Sequence, residues 1–250
     1  TATDNVSWIT ITGGNNGAGN GTVTYRVDAN SGTSSRTGTL TIAGRGVTVT
    51  QAGQSNHAPV INSIGVDPPW GISTLTTHKL TSSATDADGD QLSYSWDFGN
   101  GATSQGANPS VTYTNRDTIT YQATLTVRDP GGLSTSRTVS VTSVTMSGSW
   151  SGSLPIAGGA EPLSFVMTQT AGGVVTGTWD AVIFSGEIGP AGEPGMIRED
   201  GRFELRLKVL QGSFFDFFYA GTIDPTGRTL DGQVSESRFT GESVVMTKTN

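Results

Sequence analysis

No cysteine occurs among the 250 residues. That excludes disulfide staples, thiolate metal centres and a thiol nucleophile, so packing alone must hold the fold. Histidine is almost as scarce. His57 and His78 are the only two, neither has a second histidine at metal-ligand spacing, and both are expected on the surface. Charge is thin as well: charged residues make up 14% of the chain, and 14 Lys and Arg against 21 Asp and Glu leave a net charge of −7. Phosphate backbones require clustered cations, so nucleic acid and anionic membrane surfaces are not expected partners. No apolar run approaches a membrane-spanning length, so membrane insertion is not expected. No amphipathic helical period is sustained over three turns. Also missing are a G-x-S-x-G elbow and a phosphate-cradling glycine loop with its lysine. Two carboxylates suffice for a glycosidase. Yet Glu187, Glu204 and Asp216 show no pairing in the pattern, and Glu204 falls on the polar face of its segment. The chain is read as non-catalytic.

What is present is glycine, 35 residues of it, and serine and threonine between short alternating segments. Such segments, punctuated by Gly, Asn and Asp, predict an all-β protein. The length suits two or three domains.

The most informative stretch is Ala84–Gly101, ATDADGDQLSYSWDFGNG. Asp86, Asp88 and Asp90 alternate on a turn that Gly89 makes feasible. Leu92, Tyr94, Trp96 and Phe98 then alternate with Ser93, Ser95 and Asp97, the period of a half-buried strand. Tyr121, Ala123, Leu125 and Val127 repeat the pattern as its expected partner, and Thr138–Val141 makes a third strand. With GATSQGANPSVTYTN and YQATLTVRDPGGLSTS, these motifs resemble a PKD domain over roughly Ala58–Val144. The resemblance implies an immunoglobulin-like extracellular sandwich that serves as spacer, adhesion module or polysaccharide-surface binder. Oxygen-rich alternate carboxylates suit calcium, so Asp86, Asp88 and Asp90 are a candidate calcium site. The alternative is a hydrogen-bonded Asx turn. Trp70, in Asp67-Pro-Pro-Trp-Gly71, is a candidate ligand-stacking residue on a stiffened loop. The alternative has it covering an end of the sandwich or packing on a neighbouring domain.

Ahead of this lie SWITIT, GNGTVTYRV, SSRTGTLTIAG and VTVTQAG, four strand patterns in residues 1–54. In that order they resemble the C-terminal part of a BACON domain, a family whose name implies association with carbohydrate-active proteins. Trp8 and Tyr25 fall in strand patterns and are expected in the core. The strands that usually precede the Trp-containing one are absent, which implies either truncation or completion of the sheet by another chain. An incomplete sheet offers an open edge for self-association.

Residues 146–250 change rhythm. GSWSGSL, PLSFVMTQT, VVTGTWDA, FSGEIG, RFELRLKVL, SFFDFFYAGTID, RTLDGQVSES and FTGESVVMTKT predict about eight strands in meander order, best closed as an up-and-down barrel. The G-S-W-S-G and V-T-G-T-W elements are similar to those of avidin- and lipocalin-like barrels, and a lumen filled by side chains is expected. One strand is aromatic on both faces: Phe215, Phe217 and Tyr219 on one, Phe214 and Phe218 on the other. Phe214 and Phe218 are therefore expected to meet a partner, through the Phe214–Tyr219 strand.

The expected organisation is a BACON-like sandwich (1–54), a PKD-like sandwich (55–145) and a barrel (146–250). The expected function is a non-catalytic extracellular adhesion and carbohydrate-binding module of a secreted or cell-surface bacterial protein, with a glycan or cell-surface polymer as partner. The alternative is a structural subunit of an extracellular filament joined by strand complementation.

Overall fold

The alternating segments are realised as strand almost throughout. The computed structural model describes residues 1–156, 159–181, 184–190, 194–209, 216–236 and 241–249. Among them the one helical piece is a short 3-10 turn at Ala171–Gly173. The chain divides into two compact units.

The first unit comprises Thr1–Pro59 with the loops Asp86–Leu92 and Arg128–Ser134. Its strands are β1 (Ala2–Asp4), β2 (Ile9–Gly13), β3 (Thr24–Val27), β4 (Arg36–Ile42) and β5 (Arg45–Gln51). They form one sheet of order β1-β4-β5 and a separate β2-β3 pair. Ala2, Ile9 and Leu40 are buried, a thin core for five short strands. Two expectations are corrected here. The four expected strand patterns become five strands, because Ala2–Asp4 adds one ahead of them, with Ala2 paired to Ile42. Tyr25 is not core but 43% exposed. Trp8 is half-buried because the Arg36 guanidinium lies 4.3 Å above its ring. Arg36 is itself anchored by donating to the carbonyls of Asp28 at 2.6 Å and Ala29 at 3.0 Å.

The second unit holds a sandwich and a barrel. The sandwich strands are β6 (Val60–Asp67), β7 (Trp70–Ile72), β8 (Thr77–Thr85), β9 (Ser93–Asp97), β10 (Thr103–Gln105), β11 (Ser110–Thr112), β12 (Ile119–Arg128) and β13 (Ser134–Val144). Order β10-β9-β12-β13-β7 makes one sheet and β11-β8-β6 the other. Trp96, Leu125, Val127 and Val141 from the first and Leu80 and Val111 from the second are all buried. The predicted neighbours β9, β12 and β13 are adjacent. His78 overturns its surface expectation: it is 1% exposed. Its Nδ1–H donates to the Pro68 carbonyl at 2.7 Å and its ring lies 5.7 Å from that of Tyr113. Burial holds it below the usual histidine pKa, so it is kept neutral.

The barrel strands are β14 (Gly148–Ile156), β15 (Gly159–Gln169), β16 (Val174–Ala181), β17 (Phe184–Ile188), β18 (Gly195–Ile197), β19 (Arg202–Val209), β20 (Asp216–Ile223), β21 (Thr229–Glu236) and β22 (Glu242–Thr249). The strands from β14 to β17 pair in succession, as do those from β18 to β22, and β14 pairs with β22 to close the ring. Both β17 and β18 pair with β16 and β19, so these two short strands share one place and the closed barrel has eight. Alternation sends Phe165, Trp179, Leu205, Tyr219, Leu230 and Met246 inward, and all are buried. Small residues make room for large ones: a Cβ on Gly152 would lie 2.5 Å from Met246 Sδ, and one on Gly232 would lie 2.9 Å from the Tyr219 ring. The Tyr219 hydroxyl lies 3.0 Å from the Leu230 carbonyl and 3.1 Å from that of Val244. The lumen is filled.

Sandwich and barrel share one apolar core, in which Ile72, Val144 and Met146 join the barrel interior. Gln169, the last residue of β15, straps them together. Its Oε1 accepts from Met146 N–H at 3.0 Å and its Nε2 donates to the Ser73 carbonyl at 3.0 Å.

Candidate functional site

The acidic turn is built from its own side chains. Asp86 Oδ1 accepts the Asp88 N–H at 2.8 Å, an Asx turn, and Gly89 completes it at φ +76°. Asp88 then receives the linker twice: its Oδ2 accepts the His57 N–H at 2.7 Å, and its Oδ1 lies 2.9 Å from His57 Nδ1. One residue back, Asn56 Nδ2 donates to Asp129 Oδ2 at 2.9 Å. The hydrogen bond to Asp88 raises the His57 pKa, and the same contact lowers that of Asp88. Asp90 shifts upward, first through desolvation and then through the charges of Asp86 and Asp88. One carboxylate oxygen each from Asp86, Asp88 and Asp90 can be chosen within 4.8 Å of the others. Asp86 Oδ2 is buried without a hydrogen-bond partner. The predicted trio is thus brought together, but with His57 as a fourth member. His57 is exposed, as expected, but no partner for it was identified in the sequence; a contact across 31 positions leaves no local pattern to find it by.

Trp70 lies on β7, which pairs in parallel with β13 (Trp70 beside Thr142), rather than on a free loop. The indole is half-buried against the shared core, and its edge lies 3.3 Å from where a Gly201 Cβ would stand. It is therefore placed as a packing residue between sandwich and barrel.

On the barrel, Phe218 faces outward and is 38% exposed, while Tyr219 is buried and Phe217 packs on the core. Phe214 and Phe215 lie outside the described residues. Phe218 stands beside Arg206 on the neighbouring strand. It edges an open groove of about 710 Å³ across β18, β19 and β20, lined also by Met196, Arg198, Arg202 and Glu204. The alternation of RFELRLKVL announces that Arg202, Glu204 and Arg206 share a polar face. That Met196 and Phe218 flank them depends on strand neighbours that a single segment does not reveal.

Residues 56–144 match the family model for the PKD domain. The PKD1 domain of Vibrio anguillarum Epp is 31% identical, over 36% of this chain and 96% of that one, with a TM-score of 0.29. The PKD1 domain of the Vibrio cholerae metalloprotease PrtV is 32% identical, over 35% and 98%, also with a TM-score of 0.29. The span that the PKD model matches carries Trp70 and the acidic turn. Residues 1–52 match the BACON family model, by its description a proposed N-terminal binding domain. A structure described as showing the promiscuous specificity of carbohydrate-binding modules from the β-sandwich superfamily is 14% identical, over 78% of this chain and 93% of that one, with a TM-score of 0.35. At that level the likeness carries no argument. No curated protein matches the chain. The barrel lies beyond the spans that the PKD and BACON models match.

Proposed function

We propose that this chain is a non-catalytic adhesion and carbohydrate-associated region of an extracellular bacterial protein, with a glycan or cell-surface polymer as its partner. The observation that carries this reading is the succession of a BACON match over 1–52 and a PKD match over 56–144. Both families are typical of extracellular bacterial proteins and are typically non-catalytic. The proposed boundaries are 1–54, 55–145 and 146–250. The filled lumen supports a role for the outside of the barrel rather than its interior. Among the described residues no helix is long and apolar enough to cross a membrane. The test is co-sedimentation of the intact chain with insoluble polysaccharides, together with a glycan array. Retention on at least one polymer is expected, and uniform failure to bind would overturn the reading.

One observation favours the filament reading. β1 and β5 are the edges of their sheet, and β5 displays Val47 at 39% exposure, a surface on which a second chain can add a strand. Light scattering across a concentration series decides: growth in mass supports assembly, and a constant monomer mass removes it.

The acidic turn supports a calcium reading on one observation, the unpartnered Asp86 Oδ2. Asp86, Asp88 and Asp90 would hold the ion through carboxylate oxygens, the donors that calcium prefers. Calcium would then compete with His57 for Asp88. A calcium-dependent rise in Tm that Asp88→Ala removes supports the site, and no rise at millimolar calcium ends it.

A further inference from the structure

We propose that the groove on the outer face of β18, β19 and β20 binds an anionic polysaccharide, with the ring of Phe218 taking a pyranose face and Arg198, Arg202 and Arg206 taking its carboxylates or sulfate esters. This rests on the reading of the chain as carbohydrate-associated, and gives that reading a site and a ligand charge.

Three features coincide here. The first is charge. The whole chain has a net charge of −7 with 14 basic residues, yet three guanidinium groups line this one groove. Glu204 lines it too, and Asp200 lies 3.7 Å from Arg202 with both side chains more than half exposed. An exposed pair of that kind holds its partners weakly, and among the described lining residues the guanidinium groups outnumber the carboxylates, so this lining stands positive on a negative chain. Guanidinium groups are also planar forks that pair with carboxylate or sulfate through two parallel N–H donors.

The second feature is the aromatic. Phe218 is 38% exposed on a strand whose inward neighbours are packed, and its cross-strand partner is Arg206. Side chains paired in this way stand about 5 Å apart, so a ring stacked on Phe218 lies within reach of that guanidinium. Met196, 40% exposed and paired with Glu204, adds apolar surface at the opposite wall. The third feature is the floor. Ala220 lies opposite Glu204 and Thr222 opposite Arg202, so short side chains form a trough between taller ones. Its volume of about 710 Å³ falls within the range of ligand-binding clefts. A neutral glycan would use the aromatic and make no use of the groove's positive charge. An anionic one uses both.

Affinity electrophoresis of the intact chain through gels containing polygalacturonate, heparin or a neutral xylan tests the proposal. The comparison proteins are Phe218→Ala, Arg206→Gln and the double variant Arg198→Gln/Arg202→Gln, each checked for an unchanged far-UV spectrum and melting temperature. Retardation by polygalacturonate or heparin at least about tenfold stronger than by xylan is expected. The first would identify carboxylate and the second sulfate as the anion. Phe218→Ala should weaken retardation about tenfold. The arginine variants should lose the preference for acidic polymers while keeping any residual binding to xylan. If the chain binds glycans but all three variants behave as the parent, the groove is not the site, although the carbohydrate reading survives. Equal retardation by neutral and acidic polymers overturns the charge assignment. Retardation by none of them, with no ligand on the glycan array either, sinks both.

Discussion

At the scale of single residues, ionisable groups are set by partners distant in sequence. His57 has a raised pKa and Asp88 a lowered one because each holds the other's charge. The raised histidine contributes stability that is complete below about pH 6.5 and fades as pH rises through its folded value. The lowered aspartate contributes stability that is complete above about pH 4 and fades as pH falls. The pair is thus strongest between about pH 4 and 6.5. Titration of His57 by NMR should give a pKa above 6.5 that Asp88→Asn returns toward that value. Calcium should shift it the same way if the ion takes Asp88. Lys248 is a contrasting case. Its Nζ is buried without a hydrogen-bond partner, 5.6 Å from the Trp150 ring, and burial lowers its pKa. Lys248→Met keeps the aliphatic stem and removes the stranded charge, so it should stabilise the protein at pH 7 by about 1 kcal/mol, read as a higher melting temperature. Neither position was legible in advance. The sequence shows the acidic turn and the two histidines, but a partner 31 positions away and a lysine turned into a barrel mouth are products of topology.

Among the elements, strands with one wet face were the most legible. Period-two alternation marked β9, β12 and β19 with their inward sides, because burial of one face imposes that pattern directly. Elements governed by non-local pairing were harder. Trp70 read as a loop residue behind two prolines, since nothing nearby announces a three-residue strand completed by β13. Tyr25 read as core because alternation specifies faces and not which face is covered. The strap at the end of β15 is also silent in sequence. Gln169→Leu leaves the Met146 N–H and the Ser73 carbonyl without their partner, and should cost about 2–3 kcal/mol, measured by denaturant unfolding. Within the barrel, Gly186 faces Trp179, and a Cβ there would meet the Lys208 carbonyl at 1.8 Å and Trp179 Nε1 at 2.5 Å. Trp179 Nε1–H donates to that same carbonyl at 3.2 Å. Gly186→Ala should therefore cost more than about 2 kcal/mol, seen as a lower midpoint in the same experiment.

For the whole molecule, class and succession were legible because they depend on composition and on motif series. The absence of cysteine, the glycine-rich turns and the W-D-F-G core lead to an all-β chain with a PKD module, and closure of the barrel follows from eight meander strands with no other way to lose their edges. The proposed binding groove was not legible, because it is assembled from three strands whose order a linear reading cannot supply. As proposed, the chain is a binder that leaves its polymer intact. Incubating the intact protein with immobilised polysaccharides, while measuring both retention and new reducing ends, tests this most directly. Retention on at least one polymer with no reducing ends above background is the predicted result. Release of reducing ends, or failure to be retained on any polymer, would contradict it.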